Sequence, residues 1–392
     1  MTHLMNTYAR LPLAFVRGEG AWLIDAKGRR ILDAISGIGV CSLGHAHPRL
    51  AEVIAEQAAT LIHTANLAHI PVQEELATRL SHASGLDQAF IANSGAEALE
   101  CAFKLARRFG HDRGIHDPAI LVTQNGFHGR TLAGISASGN PAIQQGFGPP
   151  VSGFVHVPFN DLPAAARAMD ESDRIVAVLV ESIQGEAGVR VPDDDYLPGL
   201  RELCDRHDAL LMLDEVQSGM CRSGRWFAFQ HASGAEPDVI TVAKALGNGI
   251  PIGACLARSR VGDLMTPGSH GSTFGGNPLA CRVAVEVMGI MDDQKLAEAA
   301  RHRGAEIIRR LRAGLAEVPG VRQIRGRGLM IGIELSTDAT ELRQAALDRD
   351  LLINVTRGNT IRLLPPLIID RTEAETIADV LIDIIRARAT SG

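Results

Sequence analysis

Four apolar stretches set the rhythm of the middle of the chain: Ile120–Thr123, Ile175–Val180, Ala209–Leu213 and Val239–Ala243. None alternates strictly between apolar and polar residues, and all are rich in Val, Ile and Leu. Strands with that composition are buried on both faces, which predicts a mainly parallel sheet flanked by helices from about residue 85 to 280. In such sheets ligands bind beyond the carboxyl ends of the strands. Residues just after each apolar stretch are therefore the ones to read for chemistry.

The flanking segments have a different texture. Gly20–Asp25, the Lys27-Gly28 turn and Arg30–Asp33 predict a short antiparallel pair behind an N-terminal arm. Pro48 opens a helical pattern through Leu50, Val53, Ile54, Leu61 and Ile62. Two long helical patterns over roughly 278–317 are followed by expected strands at Val321–Ile324, Leu329–Leu335 and Thr360–Leu364. A final helix carries Ile377, Val380, Leu381 and Ile384 on one stripe. The division expected from this is 1–47 for the arm and first strands, 48–281 for a large α/β domain, and 282–392 for a small α+β domain.

Composition narrows the class. The 392 residues suffice for a large core, and 39 basic against 45 acidic residues leave a net charge of −6. That balance argues against nucleic acid as a partner. Nothing in the chain approaches a membrane span, and Arg10, Arg17 and Glu19 interrupt any apolar leader. The six cysteines are scattered without a CxxC pair, neither a disulfide framework nor a zinc pattern, so the expected location is the cytoplasm and no metal is expected.

Candidate chemistry clusters where the sheet predicts it. Lys244 ends Asp238-Val-Ile-Thr-Val-Ala-Lys244, and Asp214 ends Leu210-Leu-Met-Leu-Asp214. A charge at the end of a buried strand is costly unless it is paired or used. Lys244 is open to two readings, a Schiff-base former or a side chain reaching back to solvent. Asp214 calls for a cation: an arginine, a metal or a protonated ring nitrogen. In Ala89-Phe-Ile-Ala-Asn-Ser-Gly-Ala-Glu97 a strand turns into a helix through Ser94, Gly95 and Ala96, either a phosphate cradle or a plain N-cap. Gly126-Phe-His-Gly-Arg-Thr131 offers Phe127 for ring stacking or core packing and Arg130 for a carboxylate or a surface ion pair. Glu181-Ser-Ile-Gln-Gly-Glu186 places two carboxylates after a strand, and Ser269–Asn277 brings Ser272 and Thr273 as donors. Lysine, carboxylate, phosphate turn and stackable aromatic are together the requirements of a pyridoxal phosphate site.

In order and spacing these stretches closely resemble the class III aminotransferases that use pyridoxal 5′-phosphate, and within that class the acetylornithine branch, from arm to last helix. The resemblance implies a fold-type-I architecture and a homodimer with shared active sites. It implies Lys244 as the Schiff-base and proton-shuttling lysine and Asp214 as partner of the ring nitrogen. Gln217 is implied for the ring hydroxyl, Val216 and Phe127 for the two ring faces, and Ser94, Gly95, Ala96 and a partner's Thr273 for the phosphate. Arg130 would take a substrate α-carboxylate, with Ser272 nearby, and Arg362 in Ile361-Arg-Leu-Leu-Pro-Pro366 the carboxylate of an oxo acid. Glu186 would cover Arg362 in the other half of the cycle.

The implied reaction moves the δ-amino group of N2-acetyl-L-ornithine to 2-oxoglutarate in arginine biosynthesis. Ile38, in Ser36-Gly-Ile-Gly-Val40, departs from the tyrosine of ornithine transaminases and leaves an apolar patch suited to an acylated amine. Tyr8 matches an arm tyrosine that helps to fix substrate. Succinylornithine, N-succinyldiaminopimelate, ornithine and 4-aminobutyrate transaminases stand as alternatives. So do a decarboxylase or aminomutase using the same cofactor and a non-catalytic interaction protein on this fold.

Overall fold

The structure is a computed structural model, and it describes residues 3–391. Its strands, in chain order, are β1 (Phe15–Glu19), β2 (Trp22–Asp25), β3 (Arg30–Asp33), β4 (Gln88–Ala92), β5 (Ala119–Thr123), β6 (Phe154–Val157), β7 (Ile175–Glu181) and β8 (Leu210–Asp214). They continue with β9 (Val239–Val242), β10 (Gly253–Ala257), β11 (Val321–Arg327), β12 (Met330–Leu335), β13 (Leu351–Leu352), β14 (Asn354–Thr356) and β15 (Thr360–Leu363).

Seven of them form the central sheet in the order β4-β10-β9-β8-β7-β5-β6. The pairs β6/β5, β5/β7, β7/β8 and β8/β9 are parallel, as their unbroken apolar composition requires. Every residue of β5, β7, β8 and β9 is buried. The exception is β10, antiparallel to both β9 and β4. Only the segment between Val242 and Gly253 links β9 to β10. That is too short for a helical crossover, so the chain must turn back on itself.

The outer sheets confirm part of the expected pattern and correct part of it. β11-β12-β15-β14 is an antiparallel sheet built from the expected C-terminal strands plus β14. The two predicted N-terminal strands pair as β2 and β3; β1, inside the expected arm, adds to β2, and β13 joins the other edge in parallel with β3. The two long helical patterns resolve into helices Pro278–Asp293 and Leu296–Leu315, separated at Lys295 in a left-handed conformation. The helix opened by Pro48 stops at Thr60, and Leu61 is extended, so Leu61 and Ile62 leave the predicted stripe and are exposed. Their apolar side chains at helical spacing are a surface feature.

Candidate active site

At the carboxyl ends of the parallel strands lies a cavity of about 400 Å³. Asp214 closes β8 at its floor and Lys244 lines it two residues beyond the end of β9, in a left-handed backbone conformation with φ 48°. Asp214 is 4% exposed and fully engaged. Its Oδ1 accepts from Val216 N at 3.0 Å and Thr241 Oγ1 at 3.3 Å, and its Oδ2 lies 2.9 Å from His128 Nδ1. His128 is wholly buried, and its Nε2 has no partner among the described residues. Burial works against its charge, yet the Asp214 hydrogen bond and the charges of Asp214 and Glu181 outweigh this, so its pKa is raised.

Lys244 keeps some accessible surface toward the cavity, while protein surrounds it closely enough that burial lowers its pKa. Arg362 adds to that lowering, and Asp214, Glu186 and Glu181 oppose it. Among the described residues its amine makes no hydrogen bond or ion pair. It is an amine held near three carboxylates and committed to none.

Helix Gly95–Asp112 starts at the cavity wall with Ser94 as its N-cap, the Ser94 hydroxyl accepting from Glu97 N at 3.2 Å. The backbone N–H groups of the first turn are thereby offered to an anion. Position 95 has no room for a side chain: a Cβ there would lie 2.9 Å from Val216 Cγ1 and 3.0 Å from Cγ2. Val216 and Phe127 both line the cavity. Arg130 also lines it, with its guanidinium carbon 5.5 Å from the Phe127 ring centroid and no acidic partner among the described residues.

Arg362 is the opposite case, 1% exposed and fully covered. Its Nη1 donates to Glu186 Oε1 at 2.5 Å and to Gln217 Oε1 at 3.1 Å. Burial raises the Glu186 pKa, but the Arg362 charge and hydrogen bond overcome this and hold it low. The cavity wall thus carries one guanidinium unpaired among the described residues, and a second lies behind that wall, masked by a carboxylate.

A family model for the class-III aminotransferases matches residues 4–385. The chain belongs to the class-III aminotransferase family. The acetylornithine aminotransferase of Nitrosomonas europaea is 52% identical over 381 residues, 96% of each chain. That of Aquifex aeolicus is 45% identical over 98% of this chain and all of its own. Among solved structures, the ornithine aminotransferase of Toxoplasma gondii superposes with a TM-score of 0.96 at 34% identity, covering 100% of this chain and 94% of that one. The acetylornithine aminotransferase of Elizabethkingia anophelis gives 0.87 at 33%, covering 98% and 96%. The fold is that of this family of pyridoxal-phosphate enzymes.

As a member of this class-III family the chain brings Ser94, Gly95, Ala96, Phe127, Arg130, Glu186, Asp214, Val216, Gln217 and Lys244 to one cavity, with Arg362 joined through Glu186 and Gln217. These residues fit pyridoxal phosphate: an engaged carboxylate at a strand end, an unpartnered lysine and a helix N-terminus at a glycine that tolerates no side chain. Five predicted residues lie outside the lining: Arg362, which bonds two lining residues from behind, and Thr273, Ser272, Tyr8 and Ile38. Thr273 is exposed, and Ser272 accepts from Asn93 Nδ2 at 3.1 Å and Gly275 N at 3.0 Å. Tyr8 is 70% exposed on the arm, with Arg10 over its ring. Ile38 is 40% exposed at φ 66°, a strained geometry for a β-branched residue, two positions before the lining residue Val40.

Sequence reading missed His128 and Glu181 as site residues. Glu181, at the end of β7, lines the cavity and accepts from Phe127 N and from Gly185 N, each at 2.9 Å. One carboxylate thus ties the loop bearing Phe127 to the loop bearing Glu186. Its place after an apolar run was the available signal. His128 sat unremarked inside the Gly126–Thr131 stretch.

Proposed function

We propose that this class-III aminotransferase moves the δ-amino group of N2-acetyl-L-ornithine to 2-oxoglutarate, giving N-acetyl-L-glutamate 5-semialdehyde and L-glutamate. The observation that carries this reading is the contrast between two arginines: Arg130 on the cavity wall and unpaired among the described residues, Arg362 behind the wall and masked by Glu186. A donor that reacts through a terminal amine and an acceptor that reacts beside a carboxylate place different demands on that end of the site. A Glu–Arg pair that parts for a carboxylate meets both demands without a second pocket.

Pyridoxal 5′-phosphate, when bound, supplies an electron sink and a carbonyl carbon that carries the amino group between substrates. Lys244 would hold that carbon and would move the proton at the reacting carbon; its lowered pKa favours the neutral amine that can accept a proton. Asp214, with His128 Nδ1 2.9 Å from its Oδ2, would hold a proton on the ring nitrogen. Gly95 and Ala96 donate backbone N–H groups to the phosphate at the helix start that Ser94 caps. Phe127 and Val216 exclude water from the ring faces, and Gln217 bonds the ring hydroxyl. Arg130 orients the donor's α-carboxylate, with Ser272 close by, and Arg362 orients the oxo acid. Ile38 gives the acyl-bearing amine an apolar neighbour, and Tyr8 closes from the arm.

The proposal includes a homodimer in the cytoplasm. Thr273 is exposed and lies outside the cavity of its own chain, which supports a role at the phosphate site of a second copy. Exposed Phe274, at 63%, and Leu67, at 97%, supply apolar area for that contact. No helix among the described residues is long and apolar enough to cross a membrane. The domain division at 47/48 and 281/282 belongs to the same proposal.

A substrate panel tests the assignment. Turnover efficiency with acetylornithine, succinylornithine, succinyldiaminopimelate and ornithine should be highest for acetylornithine. A cofactor spectrum unmoved by acetylornithine but changed by ornithine or 4-aminobutyrate would overturn it. Release of carbon dioxide would instead identify a decarboxylase.

A further inference from the structure

A second cavity, about 460 Å³, lies between the 124–125, 158–160 and 184–191 segments on one side and the C-terminal sheet on the other. Its character differs from that of the active-site cavity. Arg190, Arg325 and Arg357 all line it, and Gln124, Asn125 and Gln323 supply carboxamides. Positive charge gathered in one concavity is unusual in a chain of net charge −6.

The acids nearby do not balance it. Glu334 alone serves two of the arginines: its Oε2 lies 2.6 Å from Arg325 Nη1 and 3.0 Å from Arg190 Nη2. Asp193 is reached only through Asn160, another lining residue, which donates to it at 2.9 Å. Arg357 is exposed, stands at φ 56° beside Gly358, and has no hydrogen bond or ion pair among the described residues. Burial lowers the Arg325 pKa, and repulsion from Arg190 lowers it further against the pull of Glu334. Asp338 stands beside Gly358 but is bonded to Thr340 and makes no ion pair with Arg357 among the described residues, so the three guanidiniums keep a surplus that an anion of more than one charge would neutralise.

The position of the cleft gives the surplus a consequence. Arg325, on β11, donates to Gly188 O at 2.6 Å and to Val189 O at 2.8 Å. Gln184 and Arg190 pair backbone to backbone, Arg190 N to Gln184 O at 2.9 Å and Gln184 N to Arg190 O at 3.0 Å. The segment between them carries Glu186 at its tip. The arginine cleft therefore grips the base of the loop whose tip covers Arg362.

We propose that this cleft binds a multivalent oxyanion of the phosphate type, and that its occupancy fastens the 184–190 loop to the C-terminal sheet. The anion bridges Arg190 on the loop to Arg357 on the sheet side, while Arg325, whose guanidinium already donates to Gly188, Val189, Gln323 and Glu334, adds its charge. It lies apart from the cavity that holds Lys244, with which it shares no lining residue.

The test is calorimetric titration of the cofactor-loaded enzyme with inorganic phosphate at constant ionic strength set by chloride. Arg130→Ala is run in parallel to remove anion binding in the active-site cavity. The expected result is a saturable event that survives Arg130→Ala and weakens about tenfold or more in Arg190→Ala and in Arg357→Ala. Amide hydrogen exchange across 184–190 should slow on adding phosphate to the wild type and stay unchanged in Arg357→Ala. No saturable event, or one lost with Arg130→Ala and indifferent to Arg357→Ala, overturns the proposal. So does phosphate binding that leaves exchange in the loop untouched.

Discussion

Glu181 shows how a single side chain serves two loops at a thermodynamic cost. Burial first, and then the charge of Asp214, push its carboxyl up to about 7, against the pull of His128 and two backbone N–H groups. A solvated carboxyl loses its proton near 4.5, so between that value and about 7 the folded state binds more protons than the unfolded one. The stabilisation from this group is therefore fully present below about 4.5 and lost as the pH rises through about 7. Glu181→Gln does not titrate. Its melting temperature should move upward relative to wild type between pH 5 and pH 8, and a pH-independent difference would refute the assignment. This residue also marks the limit of reading sequence. Lys244 and Asp214 stood out because charge after a buried strand needs a reason. Glu181 met the same criterion, but strand-end loops are commonly acidic for solubility. His128 could not be told from an ordinary core histidine until Asp214 was seen 2.9 Å away.

Elements were more legible than single side chains, because periodicity is a property of several residues at once. The four apolar runs became β5, β7, β8 and β9, and both long C-terminal helical patterns became helices. β10 escaped because Gly253-Ala-Cys-Leu-Ala257 is made of mostly small residues without a β-branched signature. Its glycine is required by packing: a Cβ at Gly253 would meet the Ser94 carbonyl oxygen at 2.4 Å, directly beneath the turn that opens the helix at Gly95. Crowding at the start of that helix yields a prediction. Gly95→Ala would press a methyl against Val216, at a cost of about 1–3 kcal/mol. Cofactor should then be lost faster on dialysis, followed by its absorbance, while far-ultraviolet circular dichroism stays near wild type; unchanged retention would dismiss the cradle. The joint between the end of β3 and the segment that follows it is also pH-sensitive, since His45 Nε2 lies 2.9 Å from Asp33 Oδ2. The hydrogen bond to Asp33, with smaller help from Cys41, raises the His45 pKa to about 9. The raised folded value means stabilisation fully present below about 6.5 and lost as pH climbs through about 9. His45→Gln should cost on the order of 2 kcal/mol at pH 6 and much less at pH 9.5, read from denaturant midpoints.

At the scale of the whole molecule, the single chain leaves Thr273 without a cavity and Phe274 and Leu67 without cover. Thr273→Ala should weaken cofactor retention while sedimentation still reports a dimer. Phe274→Asp should shift the same measurement toward monomer, and cofactor affinity should fall with it. A dimer unmoved by Phe274→Asp would place the interface elsewhere. No pattern within one chain marks which exposed apolar residues face a second copy, and for that reason the expectation of a homodimer rests on resemblance alone. The pairing of β13 with β3 has a different kind of consequence. Leu32 N donates to Asp350 O at 2.8 Å, and Ala34 N to Leu352 O at 3.0 Å, so β3 is held by residues translated more than 300 positions after it. On the ribosome β3 waits with one edge open until most of the chain has emerged, a state exposed to wrong partners. Closing that sheet is a late step in folding, and nascent chains halted before residue 350 should remain protease-sensitive around residues 30–35 while the central sheet is already protected.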